Sequence, residues 1–198
     1  MERNPYHDYV IQELIPYRLY ALSIMGAALR YRLSSDNPKE MKIYFDGKLV
    51  ITGNSNAFIN PAIEAGLIHC RALLEFLGLR CDKYDVLQNL EQKRKPDDIG
   101  VESFRNSYGK ALTRVSPAEA TACYCGDSAE GEKALLAVFH ATNKGLAHFT
   151  TSFEISKPDA GLLQIAAKGV RALVFNHLYT PLGLDAPNCE IEERQRER

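Results

Sequence analysis

Apolar residues recur at helical spacing through most of this chain, and no internal repeat interrupts the pattern. The first helical region runs from about Pro5 to Leu33, where Pro16 is expected to break or kink it. Its second part, YRLYALSIMGAALRYRL, is the stronger helix former, and SSDNPKE at 34–40 reads as a loop. The spacing then changes to alternation in MKIYF-DG-KLVIT, residues 41–52. This predicts a β-hairpin, because Asp46-Gly47 readily takes φ > 0 at both centres of a type I′ turn. Pairing Phe45 with Lys48 aligns Tyr44 with Leu49 and Ile43 with Val50. One face then carries Met41, Ile43, Phe45 and Val50. An isolated hairpin is marginal in water, so this face must be covered. It either packs on the helical body or serves as an arm that pairs with another subunit.

Three more strong helices follow. NPAIEAGLIHCRALLEFLGLR starts near Asn60-Pro61, with Asn as cap and Pro at the first position. Ile63, Leu67, Cys70, Leu74 and Leu77 form its stripe, widened by Leu73 and Phe76, and Gly78 is the stop signal. Glu64, Arg71 and Glu75 lie on its flank, one and two turns apart. EGEKALLAVFHATNKGLAHFT spans about 130–150, with Leu135, Val138, Phe139, Leu146 and Phe149 facing the core. A strip of small residues, Ala134, Ala137, Ala141 and Gly145, ends at His148. Such a strip is either a tight packing seam or half of a two-fold interface. The last helix, AGLLQIAAKGVRALVFNHLY, follows an S-x-x-D capping pattern at Ser156 and Asp159 and stops before Pro181. The stretch 80–130 carries the loops QKRKPDDIG and CYCGDSAEGE.

These elements predict an all-α, four-helix-bundle-like fold with a β-hairpin insertion at about 41–52. The domain is read as 1–185, followed by a charged C-terminal tail over 186–198. At 198 residues and 45% hydrophobic composition, such a chain buries about 70% of its unfolded surface and has a real core. A net charge of −1 argues against a general DNA-coating surface. No apolar run reaches membrane-span length, and MERNPYHDYVIQELIP lacks the features of a secretory signal. Five cysteines in no regular framework suit a reducing, cytoplasmic setting. Cys70 sits on the apolar stripe as a small buried hydrophobe.

Common catalytic motifs are absent: no dinucleotide fingerprint, P-loop, nucleophile elbow or H-E-x-x-H occurs. No cofactor and no metal is assigned. A metal reading would have to combine the C-x-C pair, Cys123 and Cys125, with His140 or His148. Lys93, Arg94 and Lys95 belong to the most basic stretch, diluted by Glu91, Asp97, Asp98 and Glu102. It reads as a solvated surface or as a nucleic-acid patch. His148 remains. On the small-residue strip it is either satisfied within a helix seam or placed as a general acid or base near neutral pH.

NKGLAHFT at 143–150, preceded by RALLEFL at 71–77 in an earlier helix, resembles the HEPN superfamily and its abortive-infection subset. Proteins of that superfamily are helical bundles that often dimerise. Many are metal-independent ribonucleases of toxin–antitoxin, phage-defence and CRISPR systems. Their signature is an Arg, commonly followed by a polar residue such as Asn, and a His a few positions on. Asn143 and His148 match the second and last places, whereas Thr142 stands where the Arg belongs. The resemblance gives that Arg the task of holding the scissile phosphate, which a hydroxyl cannot perform. Loss of such a contact costs on the order of 10²–10³ in rate. Arg71, oriented by Glu75 or Glu64, is the candidate substitute.

By resemblance, then, the catalytic set is His148, Asn143 and Arg71, and the RNA contacts are Lys144, Lys93, Arg94 and Lys95. The expected protein is RNA-associated, with impaired or absent ribonuclease activity. Its expected partners are a second copy of itself, RNA and an antitoxin-like protein, and no membrane. The alternative is a non-catalytic homo-oligomeric module for protein association.

Overall fold

The first helix passes through Pro16 because it widens one turn ahead of it. The computed structural model describes residues 5–34, 37–91, 94–124, 126–146 and 157–191. In it α1 (Pro5–Tyr9) leads through a π-helical turn (Val10–Leu14) into α2 (Ile15–Ser34). A proline has no N–H, and its ring collides with the carbonyl four residues back in an α-helix. Here the Ile15 N–H reaches the Val10 carbonyl, five residues back. The Ile11 carbonyl is thereby stranded: Ile15 no longer serves it, and Pro16 cannot. The buried Tyr179 hydroxyl satisfies it, donating to Ile11 O at 2.8 Å. The expected break is therefore a π turn, one of the known routes around a helix-interior proline.

The hairpin forms as expected at its tip and differs at its base. Strand β1 (Glu40–Phe45) pairs with β2 (Lys48–Asn54) in antiparallel fashion. Asp46 and Gly47 have φ of 51° and 73°. Phe45 faces Lys48 and Tyr44 faces Leu49, but a bulge follows, so Ile43 faces Ile51 and not Val50. A bulge adds one residue to one strand and sharpens its twist, which pattern alone does not reveal. Nor does the hairpin lie on the helical body. Phe45 is 66% exposed, and Tyr44, Leu49, Val50 and Ile51 are exposed as well. Among the described residues its base is tied down, where Ser55 N–H donates to Lys39 O at 2.8 Å and Lys39 N–H to Ser55 Oγ at 3.0 Å.

Helix α3 (Asn56–Leu77) begins a turn before the expected Asn60-Pro61 start. Asn60 caps nothing; its Oδ1 accepts from Arg32 at 3.2 Å. The predicted stripe is correct: Ile63, Leu67, Cys70, Leu73, Leu74, Phe76 and Leu77 are all buried. Burial pushes the Cys70 thiol up to about 12, so it is an inert core group. Gly78, at φ 94°, ends the helix as its sequence position implied. Against α3 lies the buried face of α2, formed by Ile15, Leu19, Leu22, Met25 and Leu29. The two helices meet at Gly66, where a Cβ would fall inside the Met25 side chain.

Beyond α3 the chain makes a short antiparallel pair, β3 (Leu79–Cys81) and β4 (Leu87–Asn89). A single 3₁₀ turn (Val101–Ser103) and α4 (Pro117–Ala122) follow, the latter with a Ser116/Glu119 capping box. Helix α5 (Ser128–His140) is capped by Asp127 and passes into a second π turn (Ala141–Leu146). Leu135, Val138 and Phe139 are buried as expected, and Leu146 packs against the core. Of the small strip, Ala134 is buried and Ala137 and Ala141 pack on the core. Phe149 and Ser156 lie outside the described residues, and so do the surroundings of Gly145.

Helix α6 (Lys157–Val174) closes the bundle, touching α5, α2 and α3. It runs on through a π turn (Phe175–Tyr179) into α7 (Thr180–Leu182), ending at Gly183 with φ 66°. The expected stop before Pro181 is thus overturned by the device seen at Pro16: Thr180 N–H reaches Phe175 O, five residues back. The segment after α7 folds back onto α2, burying Cys189 with its Sγ 3.5 Å from Pro16 O. The described molecule is therefore mostly helical and bundle-like, with two small two-stranded sheets.

Because Tyr179 serves a carbonyl that no helix donor can reach, Tyr179→Phe should destabilise the fold by about 1–3 kcal/mol. Thermal and urea unfolding would register this, and an unchanged midpoint would mean that the Ile11 carbonyl finds water instead.

Candidate functional site

Two elements far apart in sequence converge on Arg71. Its position on the flank of α3, away from the buried stripe, leaves the guanidinium half-exposed. One turn later Glu75 accepts from Arg71 Nε at 2.8 Å. The other edge of the guanidinium points at the π turn after α5, where Nη1 donates to Asn143 Oδ1 at 2.6 Å. Nη1 also lies 3.5 Å from Thr142 Oγ1. Thr142 is buried, and its hydroxyl turns back on its own helix, 2.8 Å from Val138 O and 3.1 Å from Phe139 O. Its oxygen is left to accept from Arg71. Glu64, exposed on the same flank, makes no ion pair with Arg71, so of the two candidate orienting carboxylates only Glu75 is in place.

An exposed pair four residues apart on a helix contributes only about 0.3–0.5 kcal/mol. Arg71–Glu75 is an orienting contact more than a stabilising one. Together with Asn143 it fixes Nε and Nη1, while Nη2 has no hydrogen-bond partner among the described residues. A planar guanidinium held by two of its nitrogens and open at the third can donate to an anionic oxygen in a defined direction. Asn143 itself is exposed and brings an amide to the same spot.

The remaining candidates are not all brought together. His148 and Lys93 lie outside the described residues, as does the Lys144 side chain. Lys95 is exposed. Arg94 is spent on the fold: Nη2 donates to the carbonyls of Glu75 at 2.7 Å and Phe76 at 3.0 Å, capping the end of α3. Its Nε meets Glu102 Oε1 at 2.9 Å, and Arg114 Nε reaches the same oxygen at 2.8 Å. Arg114 also donates to the Leu90 carbonyl. Burial raises the cost of charging Glu102, but the two guanidinium groups outweigh it and hold its carboxyl below the usual range. Much of the basic character of this stretch is thus neutralised internally.

The C-x-C pair does not gather a metal set within the described residues. Cys123 Sγ has Asn176 Nδ2 at 3.8 Å, and Cys125 lies outside them. The metal-ligating side chains that do converge are Cys81, Asp85 and His140, a group the sequence pattern did not single out. A cleft of about 790 Å³ opens elsewhere, between α1, residues 103–107 and the C-terminal segment, with His7, Asp8, Arg105 and Asp185 on its walls.

Comparison with protein-family models, with characterised proteins and with solved structures finds no match to this chain. Among the described residues no helix is long and apolar enough to cross a membrane.

Glu102→Gln should lower stability by about 1–3 kcal/mol near neutral pH, since two partly buried guanidinium groups lose their counter-charge. The folded pKa of Glu102 lies below its ordinary value of 4.5. Its contribution is therefore complete above that value and is lost as pH falls through the folded pKa. Urea midpoints of wild type and variant should differ by a constant amount above about pH 6 and converge in acid. A gap independent of pH would show that the Glu102 charge is not what matters.

Proposed function

We propose that this chain is a HEPN-like, RNA-associated protein in which Arg71, reaching across from α3, takes the place of the arginine missing before Asn143. One observation carries this reading: the Arg71 guanidinium is hydrogen-bonded to Asn143 and adjacent to Thr142, the position where the resemblance expects an arginine side chain. In this reading Nη2 of Arg71 holds a phosphate oxygen, Asn143 positions the ribose or phosphate beside it, and His148 moves the proton. Glu75 keeps the guanidinium aimed but offsets part of its charge, so binding is weak and cleavage slow. The near-neutral net charge agrees with modest, salt-sensitive affinity. A phage-defence or toxin–antitoxin setting, with an antitoxin-like partner in a reducing cytoplasm, belongs to the same proposal.

The test is incubation of the purified chain with mixed cellular RNA in EDTA, beside Arg71→Ala and His148→Ala. Slow cleavage in the wild type, reduced about 10²–10³-fold in both variants, is expected. Cleavage that persists unchanged in Arg71→Ala would remove Arg71 from the site. Intact RNA with no detectable RNA binding would overturn the reading altogether.

The second reading, a homo-oligomeric association module, is favoured by the exposed hairpin. Tyr44, Phe45, Leu49, Val50 and Ile51 are each 46–66% exposed on one two-stranded element. Five half-exposed side chains of this size present on the order of 400 Å², about half of one partner's share of a standard interface. A second copy pairing hairpin with hairpin would cover them and supply the further strands that such an element needs. Sedimentation should then show a concentration-dependent dimer, abolished by Phe45→Lys with Leu49→Lys while helix content is kept. A monomer at all concentrations would exclude this reading.

A further inference from the structure

We propose that Cys81, Asp85 and His140 form a three-ligand site for a divalent zinc-class ion, with its fourth position open to water. One ligand atom from each residue lies within 4.8 Å of the other two. Tetrahedral zinc sets neighbouring donors about 3.4 Å apart for nitrogen and oxygen, and about 3.6 Å when one is sulfur. His140 Nε2 and Asp85 Oδ1 already stand 3.3 Å apart. Closing the cluster on an ion therefore needs movements of about 1 Å, within the reach of side-chain rotation.

Three independent features point inward at this spot. First, His140 Nε2 is a buried nitrogen with no hydrogen-bond partner, although the ring is 39% exposed. Its approach to Asp85 does not make a hydrogen bond, so an unsatisfied donor atom faces the cluster, and buried polar atoms in that state call for a partner. Second, the two aspartates of the β3–β4 loop are used differently. Asp82 spends its carboxylate on the loop, accepting from Tyr84 N–H, Val86 N–H and Gln88 Nε2. Asp85, in the left-handed region at φ 61°, leaves its carboxylate free of the loop and carries it to His140. Third, β3 and β4 both pack against α5, which bears His140, so the three ligands come from elements already in contact.

The donor set suits the ion. A thiolate, an imidazole and a carboxylate together match a borderline divalent metal such as zinc, and three protein ligands leave one position for water. Burial and the neighbouring Asp85 and Asp82 carboxylates push the Cys81 thiol up. A divalent ion reverses that balance: the Cys81 S–H bond breaks, an S–metal bond forms, and the proton leaves to solvent. Two negative ligands then neutralise the ion. The inference is independent of the RNA reading, because none of these residues belongs to the Arg71 cluster.

The experiment is titration of the full chain, after EDTA treatment and desalting, with Co²⁺ as spectroscopic probe and with Zn²⁺ in competition. Expected are one equivalent per chain and a thiolate-to-cobalt charge-transfer band in the near ultraviolet, displaced by Zn²⁺. That band should vanish in Cys81→Ser and persist in Cys123→Ser. Asp85→Asn and His140→Gln should each weaken Zn²⁺ binding by at least about 100-fold. Far-ultraviolet dichroism and thermal unfolding in EDTA confirm that each variant is folded. Absence of the band in the wild type, its survival in Cys81→Ser, or unchanged affinity in both other variants overturns the site.

Discussion

The close approach of α2 and α3 at Gly66 governs how the rest of the chain is arranged. With no side chain there, the α3 backbone comes down onto Met25, and the buried faces of the two longest helices share one seam. Helix α3 then becomes the axis of the fold. It is lined on α2, reached by α5 and α6, continued by β3 and preceded by the hairpin. Any residue that is not on its apolar stripe is forced to its flanks, and this is why Arg71 and Glu75 emerge together beside the turn that bears Thr142 and Asn143. A larger residue at 66 would push the helices apart and move that flank relative to the turn, since packed interiors transmit displacement more than they absorb it.

Charge is used mainly to hold irregular backbone in place. Between β3 and α4 the chain makes few regular hydrogen bonds, and Arg94, Glu102 and Arg114 take over that work. Arg94 ties the end of α3 to a segment more than fifteen residues away, and Arg114 secures the Leu90 carbonyl. The group that looks most like a polyanion-binding patch in the linear chain is therefore partly a staple. By contrast Arg71, isolated among apolar and acidic neighbours in sequence, ends with an open guanidinium edge.

The helices were largely legible because the period of Ile63, Leu67, Cys70, Leu74 and Leu77 admits one buried face, and the structure buries it. The Asp46-Gly47 turn was legible from the φ demands of its two residues. What failed were places where a local rule met a tertiary contact. Pro16 read as a break or kink and Pro181 as a helix end, yet each is carried through by a π turn, in the first case with a tyrosine from the other end of the chain. The hairpin bulge has no mark in the alternation of Ile43 to Ile51. The S-x-x-E capping box at Ser116 to Glu119 was a usable signal for α4, and it lay within the stretch that looked least readable. Of the site, the meeting of Arg71 with Glu75 followed from helix spacing, whereas its hydrogen bond to Asn143 joins two elements that share no period in the chain. The Cys81, Asp85 and His140 cluster was illegible because its members come from a strand, a loop and a helix with no common period.

The two proline-linked π turns have a consequence for how the length of this chain is fixed. Each holds one residue more than an α-helical turn needs, and each sits two positions ahead of its proline. Removing a residue from Val10–Leu14 would restore α-helical spacing and rotate Val10, which is buried, by about 100° relative to α2. It would also set the proline ring against a carbonyl of the preceding turn. The prolines thus act as register pins, making a point deletion in these helices far more disruptive than a substitution at the same place.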